Sequence, residues 1–338
     1  MNLEDIARRA GVSRSTVSRV INNEPYVSAR TRAKVMAVIQ EVGYAPNPAA
    51  RMLVTRRTYV IGVVIPRELI TVFEDPYYFP TLLQGITEAA QERDYATLLW
   101  VGSSSEDEDR LYERVLQNRL MDGLLIASAT RQMGITRRLV EHHIPFVMVE
   151  RPAALEDQIN YVSIDNIAAA QDAVNHLIDV GRRRIGHITG SLNNSDGLER
   201  VEGYRLALRR ARLPYDPDLV VEGHFTSRSG YLGMKALLKR GVDAVFAASD
   251  TTAYGALQAL HEAGVRVPED VALVGFDDLP RALEANPPLT TIRQPIHQKG
   301  YQAAHLLLDL LDGKARGPRH ILLPTQLVIR ASSGANTF

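Results

Sequence analysis

Two hydrophobic rhythms divide the chain. Over residues 1–44 the apolar positions fall only at helical spacing: Leu3, Ile6, Ala7 and Ala10, then Val17, Val20 and Ile21, then Val35, Val38, Ile39 and Val42. This pattern predicts three short helices, broken at Gly11-Val12-Ser13 and at Asn22–Val27, with Gly43 ending the third. From Tyr59 onward, short apolar runs alternate with amphipathic stretches. The runs cover 59–66, 96–102, 123–128, 145–150, 161–165, 184–190, 244–249 and 271–277, and helical stretches at 81–94, 107–120, 167–180, 200–212 and 251–263 lie between them. Short strands apolar on both faces, separated by helices, predict parallel sheets covered on both sides.

Eight strands are too many to read as one sheet. The runs divide near 155–161, where AALEDQIN reads as a connector, and a second connector, 284–295, precedes one more helix at 296–312 and a last strand pair, ILLP and QLVIR. The fold class is therefore an all-α helix-turn-helix head and hinge helix joined to an α/β body of two doubly wound parallel-sheet lobes. Its expected domains are a head at 1–45 and a hinge at 46–58. The body's runs up to about 155 and those from about 161 make up two lobes joined by several crossings.

Charge sharpens the division between head and body. Lys and Arg number 39 against 39 Asp and Glu, but residues 1–58 hold ten bases and four acids, or +6, and the remainder is −6. A basic head on an acidic body is the footprint of a nucleic-acid reader whose larger part faces something else. Cysteine is absent, which excludes disulfides and thiol chemistry and agrees with a reducing cytoplasm. MNLEDIARRAGVS lacks the apolar core of a secretory signal, and no run of about 18 apolar residues could span a membrane.

Ser13 stands where the second helix needs an N-cap, and Val17, Val20 and Ile21 form that helix's buried face. Arg14, Ser15, Ser18 and Arg19 are left on its exposed side, the part of a recognition helix that enters a major groove. Arginine can bond a guanine edge with two donors, and serine hydroxyls reach bases or phosphates. Pro48 after Asn47 suits the start of a further short helix, too short to be stable alone.

The residues from NLEDIARRAGVS to AARML resemble the DNA-binding head of the LacI/GalR family of bacterial repressors. They match D-I-A-x-x-A-G-V-S-x-x-T-V-S-R-V-I-N, V-S-x-x-T-R and G-Y-x-P-N-x-x-A-R-x-L almost without departure. The resemblance implies that Arg14 and Ser15 choose the operator sequence, with Arg19 also reading bases. It implies that Asn22, Tyr26, Ser28 and Thr31 position the DNA backbone. Residues 47–55 become a hinge helix, with Asn47, Ala50 and Leu53 as DNA contacts and Leu53 as a minor-groove wedge. Such a hinge would order only when two copies meet on DNA.

The body resembles the periplasmic-sugar-binding-protein fold that the family carries behind its head, through MDGLLIAS, GHITG, R-x-x-G-Y, VRVPEDVALVGFDD and PPLTTIRQP. The resemblance implies one lobe from 59–160 with 294–323 and the other from 161–293 with 324–338. Ligands of such sheets bind outside the carboxyl ends of the strands. That rule selects Asp277 as a hydroxyl acceptor and Ser249 beside the cleft. It also selects Asp250, which could equally serve as a helix cap. The resemblance adds Arg200 as a clamp on ligand oxygens, Phe225 as a stacking aromatic, and Tyr78 and Phe79 as contacts from the first lobe. Asn194 and Asp196 are polar loop candidates that turn formation alone could explain. Purine-responsive members carry Arg and Thr at these two positions, so a sugar-like effector is expected here.

No P-loop, nucleophile elbow, HExxH or metal-ligand spacing appears, so neither enzyme activity nor a cofactor is expected. The expected partners are a pseudo-palindromic double-stranded operator, a small sugar and a second copy of the chain. A nucleoside or other non-sugar effector is the alternative. A sugar-binding protein without a regulatory role predicts a signal peptide and no basic head.

Overall fold

The computed structural model describes residues 2–21, 26–44, 52, 55, 57–65, 76–101, 109–113, 120–127 and 134–334. The chain forms two units, Met1–Thr58 and Tyr59–Phe338.

In the first unit α1 (Leu3–Ala10), α2 (Arg14–Ile21) and α3 (Ala29–Glu41) close on Ile6, Ala7, Ala10, Val17, Val20 and Val35. So small a core depends on its helix ends. Asn2 accepts from the amides of Glu4 and Asp5, and the Asp5 carboxylate returns a bond to the Asn2 amide. Gly11 ends α1 in the left-handed region at φ 60°, where its N–H reaches the Ala7 and Arg8 carbonyls, a conformation that glycine adopts at little cost. Ser13 accepts from the Thr16 amide at 3.1 Å and starts α2.

The second unit holds two six-stranded sheets. The first has the order β11-β5-β4-β3-β1-β2 and is parallel throughout. It is built from β1 (Val60–Ile65), β2 (Ala96–Val101), β3 (Gly123–Ile126), β4 (Phe146–Val149), β5 (Asn160–Ile164) and β11 (His320–Leu323). The second has the order β12-β10-β9-β8-β6-β7, with only β12 antiparallel. Its strands are β6 (Ile185–Ile188), β7 (Val220–Val221), β8 (Ala244–Ala247), β9 (Ala272–Asp277), β10 (Thr290–Arg293) and β12 (Gln326–Val328). Apolar clusters lie on both faces of each sheet, so both lobes are doubly wound.

One lobe boundary needs correction. The strand expected to open the second lobe at 161 belongs to the first: Met148 pairs with Tyr161 and Val149 with Val162, and β11 closes on its other edge. The chain crosses at Asp165, into the helix Asn166–Asp179 that packs on Ser195–Arg210. A strand apolar on both faces carries no mark of which sheet it joins. AALEDQIN is a short excursion, with a 3-10 turn at Glu156–Gln158 that leads back to the same sheet. Four segments escaped the periodicity reading: the two-residue β7 and the helices Gly134–Glu141, Ser227–Leu238 and Pro280–Glu284. Part of the expected connector at 284–295 is the strand β10. The final strands divide, β11 to the first lobe and β12 to the second, so the lobes are joined by three crossings.

Candidate functional site

The residues at the carboxyl ends of both sheets form a connected polar array. In the first lobe Glu150 follows β4 at φ 94°, a conformation rarely adopted by a residue with a side chain. Its Oε1 accepts from Lys299 Nζ at 2.5 Å and from the Tyr78 hydroxyl at 3.3 Å, and its Oε2 accepts from Ser163 Oγ at 2.8 Å. Burial works to raise the Glu150 carboxyl, but the Lys299 charge and the hydrogen bonds from Lys299 and Ser163 outweigh it and hold the group below its ordinary value.

In the second lobe Asp277 ends β9 at φ 120°, and its Oδ1 accepts from Gln294 Nε2 at 2.6 Å. Asp278, at φ 58°, receives Arg293 and Arg330, each at 2.6 Å, and so ties the end of β10 and the segment after β12 to the end of β9. Arg200 is buried. Its Nε donates to Asn166 Oδ1 at 3.0 Å and a terminal nitrogen donates to the Ala248 carbonyl. Its guanidinium lies 3.6 Å from the Phe276 ring centroid and 5.7 Å from that of Phe225. Backbone strain gathered at strand ends is a recurrent property of ligand clamps.

The two lobes share one electrostatic field. Burial raises the Tyr78 phenol well above its ordinary value, and the charges of Glu150, Asp277 and Asp196 add to this while Arg200 opposes it. Burial likewise raises the Asp196 carboxyl against the pull of Arg200. Asp196 stands in the first turn of the helix Ser195–Arg210, and Asn194 is its buried N-cap position. That helix begins five residues before the expected start at 200.

Three of the expected effector contacts are engaged within the fold. Ser249 caps the helix Asp250–Glu262 by accepting from the Thr252 amide at 3.1 Å. Asp250 is buried, with Oδ2 taking the Leu279 amide at 2.7 Å and Oδ1 taking Thr291 Oγ1 at 2.5 Å. Phe79 joins the apolar core of the first lobe, edge-on to Tyr78. Glu150, Lys299 and Gln294 were not singled out from the sequence, although signals existed. Glu150 closes an apolar run, and Lys299 interrupts the buried stripe Ile296, Gly300, Ala303, Ala304 and Leu307.

Phe225, at φ 59°, rests against Gly190, where an added Cβ would lie 1.9 Å from the ring. Gly190→Ala should therefore cost about 1–3 kcal/mol through overpacking. The cost should shrink in Gly190→Ala/Phe225→Ala relative to Phe225→Ala alone. A double-mutant cycle on unfolding midpoints reads the coupling, and additive effects would show that the ring does not occupy this place.

In the head, Arg14, Ser15 and Arg19 are exposed on α2 and Ser18 is half-buried. Arg14 lies 3.7 Å from Glu4, and Arg19 sits over the exposed Tyr26 ring at 5.8 Å. Ser28 caps α3 through the Thr31 amide, and the two hydroxyls lie 2.9 Å apart. Asn22, Asn47, Ala50, Leu53 and most of the expected hinge helix lie outside the described residues. Among the described residues, no helix is long and apolar enough to cross a membrane.

Comparison with known proteins agrees with this architecture. Residues 2–47 match the model of bacterial regulatory proteins of the lacI family, and residues 174–333 match the periplasmic binding protein-like domain. The transcriptional regulator CelR of Thermobifida fusca is 43% identical over 333 residues, 98% of this chain and 97% of its own. A PurR repressor of Escherichia coli is 32% identical, covering 99% of this chain and 98% of its own. Among solved structures, a CelR–cellobiose complex superposes with TM-score 0.78 at 40% identity, covering 98% of this chain and 99% of that one. A lac repressor dimer bound to operator superposes with TM-score 0.82 at 28% identity, covering 98% and 99%. A helix-turn-helix head on a two-lobed binding body defines a transcription regulator, not an enzyme. The chain belongs to the lacI family of bacterial regulatory proteins.

Proposed function

We propose that the chain acts in the cytoplasm as a homodimeric repressor of a pseudo-palindromic operator, and that a polyhydroxylated sugar between the lobes controls it. The observation that carries the effector class is the meeting of carboxylates and donors from both lobes. Glu150, Asp196 and Asp277 supply carboxylates, and Arg200 and Lys299 supply cationic donors. A hydroxyl both donates and accepts, so vicinal hydroxyls suit such an alternating lining, and the Tyr78 and Phe225 rings suit the C–H faces of a pyranose. Cellobiose is the first probe, because the CelR relative was solved with it. Titration calorimetry with cellobiose, monosaccharides and hypoxanthine decides between the classes. Saturable sugar binding supports the proposal, and hypoxanthine binding without sugar binding would replace it with a purine effector.

On DNA we assign base reading to Arg14, Ser15, Ser18 and Arg19, and backbone positioning to Asn22, Tyr26, Ser28 and Thr31. Asn47, Ala50 and Leu53 are assigned to the hinge contact. Operator selection from a random duplex pool should return a two-fold symmetric site. Arg14→Ala should relax preference at one base pair per half-site by about 1–3 kcal/mol. Tyr26→Phe should weaken all sequences alike. A uniform loss in both variants would remove Arg14 from base reading.

A further inference from the structure

The side chain of Lys299 is fully buried in the helix Ile296–Leu311, yet it carries a charge into an apolar stripe. Two acceptors take its ammonium, Glu150 Oε1 at 2.5 Å and Gln294 Oε1 at 2.6 Å. Gln294 then passes Nε2 to Asp277 Oδ1 at 2.6 Å. Only one orientation of this amide is allowed. Lysine offers donors alone and an ionised carboxylate offers acceptors alone, so a flipped amide would set N–H against N–H and oxygen against oxygen. The chain Glu150–Lys299–Gln294–Asp277 therefore has a fixed polarity, and it begins in the first lobe and ends in the second. Gln294 itself lies on a crossing between the lobes, and its backbone N–H also points to the Asp277 carbonyl at 3.4 Å.

We propose that Lys299 is a positioning residue that, through Gln294, sets the angle between the lobes and aims Glu150 and Asp277 at the cleft before any ligand arrives. The groups around it suit this role. Ser163 and Tyr78 hold the far side of Glu150, while Arg293 and Arg330 clamp Asp278 beside Asp277, so the strut has anchored ends. A buried charge pair by itself only compensates burial. The added amide, bonded at both ends, is what joins the lobes. The bearing on recognition rests on the sugar-effector reading above. The test uses no ligand, so the two can fail separately.

The chain has no cysteine, so Glu141→Cys and Lys239→Cys place spin labels at one exposed site on each lobe. Pulsed dipolar spectroscopy, with singly labelled controls for distances between copies, then reads the interlobe distribution. Without other changes the distribution should be narrow. Lys299→Met leaves Glu150 buried and unpaired, so a loss of folding there is expected and would be repaired by Lys299→Met/Glu150→Gln. That double variant should regain the unfolding midpoint while its distribution stays about twofold wider or shifted. Gln294→Leu, which keeps the Glu150–Lys299 pair, should widen the distribution in the same way, with a lowered midpoint because two buried hydrogen bonds are lost. A distribution unchanged from the parent in both the double variant and Gln294→Leu would overturn the proposal and leave Lys299 as charge compensation only.

Discussion

Arg200→Ala is expected to lose sugar binding and stability together, the largest paired effect of any single change in the cleft. The side chain is 3% exposed, and both its bonded partners, Asn166 Oδ1 and the Ala248 carbonyl, would be left in the interior without their donor. Stranding two buried acceptors costs on the order of 3 kcal/mol, read as a lowered unfolding midpoint. On the proposed effector reading, removing a charged donor from ligand oxygens should weaken sugar binding by a further factor of about 10–100, read by calorimetry. Arg200→Lys should fall between the two, because an ammonium keeps the charge but neither the planar fork nor the stacking on Phe276. Asp196, whose carboxyl Arg200 helps to keep ionised against burial, should titrate at higher pH in the alanine variant. Unchanged affinity in a folded Arg200→Ala would remove the residue from the effector site.

The second large effect is a loss of stability in mild acid that centres on His187. This residue lies on β6, wholly buried and stacked between Phe246, at 4.6 Å and 6° between planes, and Tyr204 at 5.3 Å. Nδ1 lies 2.8 Å from the Phe246 carbonyl, which assigns it the proton, and Nε2 has no hydrogen-bond partner among the described residues. Burial lowers its pKa from 6.5 to about 4. Because the folded form resists protonation, the unfolded chain binds more protons between these values, and stability falls as pH falls from about 6.5 to about 4. The contribution is fully present above 6.5 and levels off below 4, for a total of about 3 kcal/mol. His187→Phe keeps the stack, gives up one hydrogen bond at neutral pH, and should flatten the slope in denaturant titrations across this range. A slope identical to the parent's would show that other groups, the carboxylates and the buried His176, govern acid unfolding.

Much of the architecture was legible because its signals are local. Gly11, Ser13 and the period of Val17, Val20 and Ile21 are short-range instructions to the backbone, and three helices follow them in order. The strand-end rule selected Asp277 and the resemblance selected Arg200, and both lie in the polar array, bonded to Gln294 and to Asn166. Ser249, Asp250 and Phe79 met the same criteria, yet their atoms cap a helix, bind the Leu279 amide and Thr291, and fill a core. Position at a strand end places a residue near the cleft. Whether it faces ligand depends on partners tens of residues away. Asp250 and Thr291 are 41 positions apart.

The same division holds for the lobes. Local pattern by itself determined the head, its basic charge, and the alternation of strands and helices, because each depends on residues within a turn or a strand of one another. Tertiary structure decided which sheet β5 joins, and that Glu150, Lys299, Gln294 and Asp277 form one chain of bonds. Lys299 and Glu150 are 149 residues apart, and nothing local to either encodes the other. An apolar parallel strand fits either sheet by its own chemistry, and a buried lysine is tolerable only once its acceptor is in place. Both are settled when distant segments meet and desolvate together.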